Sequence, residues 1–93
     1  MYAVIGRDHF DVSRVKDIRK IVEDKVLPGV RALDGFVSAT FLHAVDERDT
    51  GTAVLIFESE DAARAALARL AAVDAGGLVA SHTLEINEVV GQS

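Results

Sequence analysis

Glu85 and Asn87 project from one side of a strand-like stretch in which Leu84 and Ile86 project from the other. Inside a partly apolar pocket a carboxylate such as Glu85 has its charged form disfavoured and becomes a base able to take a proton from carbon or phenol. On a wet sheet face the same two residues would be ordinary, and in a dimer a polar rim or an intersubunit salt bridge is their other reading. His43 is a second candidate base, since imidazole titrates near neutral pH; its other reading is a strand-end histidine that reaches solvent. His82 opens the last strand, at a pocket rim or on the surface, and His9 lies with Arg7 and Asp8 where the first strand leaves the sheet. The three histidines show no HxH or HxxxH spacing, so they do not define a metal site. No cofactor is expected.

Composition narrows the rest. The chain has 93 residues, 49% apolar and 27% charged, with a formal net charge of −5. Such a length makes one domain, 1–93, with a thin core, burying roughly 60–65% of its unfolded surface. The acidic balance argues against a nucleic-acid surface, and Asp17, Glu23 and Asp24 interrupt the basic cluster of Arg14, Lys16, Arg19 and Lys20. There is no cysteine, which excludes disulfides and thiolate chemistry. No apolar run approaches the ~18 residues of a membrane span, and Met1–Gly6 carries no basic leader, so no membrane association and a cytoplasmic location are expected.

Six elements must position these residues. Tyr2 to Arg7 reads as a buried strand. Asp11 or Ser13 caps a helix with Val15, Ile18, Val22 and Val26 on one stripe, and Pro28 kinks or restarts it before its end near Leu33. Asp34-Gly35 turns into a strand from Phe36 to Val45, and a turn over 46–51 leads into a strand from Thr52 to Glu58, a hairpin. Ser59 caps a helix from Glu60 to about Val73, Asp74 to Leu78 connects, and the last strand covers His82 to Val90. The order is βαββαβ, an α+β ferredoxin-like sheet of four antiparallel strands with two helices on one face.

In that order the first and third strands are central, yet Ala53 to Phe57 contains no polar residue. An unbroken apolar run implies burial on both faces. Helices cover one face; a second copy of the chain is the simplest cover for the other. With Val37, Ala39 and Phe41 packed on the helices beside Val54 and Ile56, the face shared with the partner would carry Thr40, Leu42, Leu55 and Phe57, with Asn87 at its edge, and His43 would lie on the helix side. A one-residue slip of the hairpin reverses this assignment.

Val26-Leu27-Pro28, Leu33-Asp34-Gly35-Phe36, Asp49-Thr50-Gly51 and Phe57-Glu58-Ser59-Glu60-Asp61-Ala62 together resemble the antibiotic biosynthesis monooxygenase-like family of the dimeric α/β-barrel superfamily. The resemblance implies a homodimer whose sheets face each other, with a pocket in each subunit. It also implies two kinds of activity among relatives, cofactor-free oxygenation of polycyclic aromatics and haem degradation. The oxygenases often carry Trp where this chain has Phe57 and Asn where it has Ala53, so neither the indole N–H nor the amide that would hold a developing oxyanion is present. Two readings stand. One is a homodimer that holds an apolar or aromatic small molecule, between sheet and helices or in the dimer barrel, without known chemistry. The other is a cofactor-free monooxygenase or isomerase acting on an aromatic or polyketide-like molecule, with Glu85 or His43 as base.

Overall fold

The computed structural model describes residues 1–72 and 79–93, without the side chains of 79–82. Four strands, β1 (Tyr2–Phe10), β2 (Phe36–His43), β3 (Thr50–Phe57) and β4 (Val79–Glu88), form an antiparallel sheet in the order β2-β3-β1-β4. The ferredoxin-like arrangement with β1 and β3 at the centre is thus observed. The expected connection at Asp74 to Leu78 lies outside the described residues.

The first helical stretch is three segments in sequence. Asp11 accepts hydrogen bonds from the Ser13 backbone N–H at 2.9 Å and from its hydroxyl at 2.8 Å, starting a 3₁₀ turn at Val12–Arg14. These bonds favour the charged carboxylate and hold the Asp11 pKa below its ordinary 3.8. Helix α1 (Val15–Ile21) follows, then a π segment at Val22–Val26, then α2 (Leu27–Arg31). Pro28 stands in the first turn of α2. Its ring would press on the carbonyl four residues back, and it has no N–H to offer. The π segment widens the turn just ahead of it, with the Leu27 N–H reaching back five residues to the Val22 carbonyl. The disturbance expected at Pro28 is therefore observed as a bulge on its N-terminal side. Gly35, at φ +73°, makes the turn into β2; a side chain there would meet the Ala62 Cβ at 2.8 Å.

Ser59 caps α3 (Glu60–Ala71), accepting from the Ala62 N–H at 3.1 Å. Ala63 and Ala66 of this helix are buried against a cluster of Val4, Val30, Ala53, Leu55 and Phe57. Leu55 and Phe57 therefore face the helices, at 1% and 0% exposure. This corrects the sequence expectation that placed them on the partner face.

The register supplies the reason. Ala39 pairs with Leu55, Phe41 with Ala53 and His43 with Gly51, so these six share the helix side. Between Phe36 and Ser38 the pairing shifts by one residue, a bulge that puts Phe36 against Phe57, rings edge to face at 6.1 Å, and leaves Val37 exposed. The opposite sheet face carries Ala3 and Ile5 from β1, Val54 and Ile56 from β3, Thr40 and Leu42 from β2, and Glu85 and Asn87 from β4.

Candidate functional site

Along β3 the helix-facing residues shrink in order, Phe57, Leu55, Ala53, Gly51. On β1 the sequence runs Tyr2, Val4, Gly6, Asp8. At the Phe57 end large side chains meet α3 and fill the space. Toward Gly51 the sheet floor falls away while α1 continues above it. The result is a cavity of about 430 Å³ between the sheet and the first helical stretch.

Its helix wall is Val15, Ile18 and Val22, three members of the stripe read from the sequence, with Leu27 in place of Val26, all only half-buried; Phe10, Ala39 and Phe41 form the sheet side. The π segment places both Val22 and Glu23 on the lining, consistent with the frequent occurrence of such bulges at functional sites. Arg19, Glu23 and Asp8 add charge of both signs. Phe10 leans over Gly51, where an added Cβ would meet the ring at 3.1 Å, so the glycine is what admits the ring. A mainly apolar concavity with few polar groups is the usual form of a small-molecule site.

His43 stands on this wall, in the row Asp8, Gly51, His43 that crosses the sheet. Its Nε2 lies 2.7 Å from the Arg48 carbonyl oxygen, and its ring centroid is 5.5 Å from that of Phe10. The hairpin fixes this carbonyl. The Arg48 Nη1 donates to the Ala44 carbonyl at 3.0 Å, and the Thr50 N–H donates to that of Glu47 at 3.0 Å. His43 Nδ1 is buried and has no hydrogen-bond partner among the described residues. Such an unpaired acceptor costs about 1–3 kcal/mol.

The other residues singled out from the sequence lie elsewhere. Glu85 is on the opposite face, more than half exposed, and accepts a hydrogen bond from Arg7 Nη1 at 3.1 Å. In the single chain this is an exposed ion pair. Asn87 is exposed beside Ala3, and Thr40 and Leu42 also lie on that face, although Leu42 touches the cavity at its end of β2. Leu55 and Phe57 are core and do not line the cavity. Ala53, 8% exposed, is core as well. His9 is exposed; His82 pairs with Asp8 through the backbone, its side chain being outside those described. Among the described residues no group of three or more His, Cys, Asp or Glu is placed to hold a metal ion.

Sequence reasoning missed Phe10, Arg19, Glu23, Ala39 and Phe41 as cavity residues. The signal available was size: Ala39, Gly51 and Ala53 are small residues on the side of β2 and β3 that also carries Phe41, Leu55 and Phe57.

No protein-family model matches the sequence, and no curated protein matches it. Solved structures do. The haem degrader MhuD from Mycobacterium tuberculosis, solved with two haems bound in its active site, superposes with a TM-score of 0.80 at 20% identity, covering 100% of this chain and 99% of that one. The chain carries the antibiotic biosynthesis monooxygenase-like ferredoxin fold. The same fold is shared with the ActVA-Orf6 monooxygenase of Streptomyces coelicolor, in complex with nanaomycin D, at TM-score 0.70, 21% identity and coverage of 99% and 89%. It is shared too with SnoaB, a cofactor-independent oxygenase from Streptomyces nogalater, at 0.72, 17%, 98% and 94%. At these identities the likeness is one of fold.

Neither nitrogen of His43 is open to a haem iron in this arrangement of side chains. Haem iron needs an axial protein ligand. Among the described residues the histidine on the cavity wall is His43, with Nε2 engaged by Arg48 and Nδ1 buried. No helix among the described residues is long and apolar enough to cross a membrane.

Proposed function

We propose that this protein is a cytoplasmic homodimer that binds a small, mainly apolar ring molecule in the cavity between α1 and the sheet. The observation that carries the reading is the taper of β3 from Phe57 to Gly51, which opens about 430 Å³ lined by Phe10, Phe41 and the helix stripe. Dimerisation is supported by the helix-free sheet face. Its centre is Ala3, Ile5, Val54 and Ile56, its edges are Ser38, Thr40, Glu85 and Asn87, and an apolar centre with a polar rim is how protein interfaces are built.

The test is a titration with 2-naphthol, followed by its own fluorescence, which a chain with one Tyr and no Trp leaves unobscured. Saturable binding with one site per chain, lost in Ala39→Leu, is the expected result. Equal binding by the filled variant contradicts the reading.

The alternative is a cofactor-free oxygenase of the kind to which ActVA-Orf6 and SnoaB belong. One observation favours it: His43, a group able to accept a proton, stands on the cavity wall. Oxygen uptake with hydroxylated naphthalenes, abolished in His43→Phe, would support it. Uptake no faster than without protein would exclude these substrates.

A further inference from the structure

The bonding of His43 fixes more than its position. A carbonyl oxygen can only accept, so Nε2, 2.7 Å from the Arg48 carbonyl, carries a proton. A neutral imidazole has one N–H, which leaves Nδ1 as a bare lone pair. The tautomer follows from the partner. That lone pair is buried, and none of the described residues donates to it.

We infer that His43 Nδ1 is the acceptor by which the cavity selects, among apolar ring molecules, those that carry a hydroxyl or N–H donor. The inference rests on the cavity being a ligand site. Phe10 and Phe41 share the wall with His43, and the other side-chain acceptors a donor could meet there are the carboxylates of Asp8 and Glu23 and the hydroxyl of Thr52. Because Nδ1 is buried, a donor reaches it when a neighbouring side chain shifts. We take Phe10 as that neighbour, since its ring lies 5.5 Å from the imidazole and is itself part of the lining. Phe10 is thus a specificity-determining residue with His43: it closes over the acceptor and gives way to a ligand that can satisfy it.

The experiment compares 2-naphthol with 2-methylnaphthalene, which replaces the hydroxyl by a methyl group of similar size, on the wild type and on His43→Phe. Binding is read from backbone amide shifts in NMR. One neutral hydrogen bond is worth about three- to tenfold in affinity. The ratio of the two affinities is therefore expected to move against 2-naphthol by about that factor in His43→Phe, with 2-methylnaphthalene bound equally by both proteins. In the wild type the imidazole ¹⁵N spectrum should show the Nε2–H tautomer, with the Nδ1 resonance shifting on addition of 2-naphthol and not of 2-methylnaphthalene.

An unchanged ratio, with both probes still shifting Val22, Phe41 and Gly51, overturns the role of His43 and leaves the cavity as a ligand site. Failure of both probes to bind the wild type overturns the cavity reading and this inference with it. If His43→Phe does not fold, the ¹⁵N measurement on the wild type decides alone: an Nδ1 resonance indifferent to 2-naphthol refutes the inference.

Discussion

Replacing Ala39 by leucine should stabilise the protein, which is unusual for enlarging a residue on the core side of a sheet. Ala39 pairs with Leu55, faces the helices and lines the cavity. Leucine adds three carbon groups, at about 0.8 kcal/mol for each one fully buried, so the gain is at most about 2.4 kcal/mol. Fixing the leucine side chain takes back about 0.5–1 kcal/mol. The net is about 1–2 kcal/mol, and at about 4–8 °C per kcal/mol for a domain of this size Tm should rise by roughly 5–15 °C. Urea denaturation and thermal melts followed by far-UV circular dichroism measure both quantities. If the space were already occupied by side chains, the same change would overpack the core and cost about 1–3 kcal/mol. A lowered Tm would therefore refute the existence of the cavity, independently of any ligand.

Other expectations follow from burial and charge. Phe57→Ala should cost about 3–5 kcal/mol, a large part of the roughly 5–15 kcal/mol available to a domain, because the ring is fully buried against Phe36 and α3; chemical denaturation reads it directly. Val54→Arg should leave the chain folded and convert a dimer into a monomer by light scattering, whereas Leu55→Arg should unfold it, since Val54 lies on the helix-free face and Leu55 in the core. Asp11→Ala should destabilise through loss of the first turn. Because the folded-state pKa is lowered, the wild-type advantage is complete above the ordinary carboxylate value of 3.8 and disappears as pH falls through the lower folded value, a trend that melts between pH 6 and 2 would show.

The element order was legible because its signals are local: Ser59 and Asp11 cap, Asp34-Gly35 turns, and both caps and turn stand where the sequence puts them. Register was not. The run Ala53 to Phe57 has no polar member to announce its outer face, and a bulge at Phe36–Ser38 cannot be seen in a composition of apolar residues. What the run does contain is a sorting by shape. Thr50, Thr52, Val54 and Ile56, all β-branched, lie on one side, and Gly51, Ala53, Leu55 and Phe57, graded in size, lie on the other. The faces of β2 and β4 were read correctly, with Ala39, Phe41 and His43 on the helix side and Thr40, Leu42, Glu85 and Asn87 opposite; the parity error was confined to β3. Strand β1 also runs on to Phe10, three residues beyond the sequence expectation. Asp8 and His9 find partners in Gly51 and Thr50, pairings set by tertiary contact and not by their own β-propensity.

The most direct test of the central claim is a ¹H–¹⁵N NMR map of the native protein during addition of 2-naphthol. The account predicts saturable shifts at Val15, Ile18, Val22, Phe41 and Gly51, with little change at Thr40, Val54 and Glu85 on the opposite face. Shifts confined to that opposite face, or none at all, would contradict it.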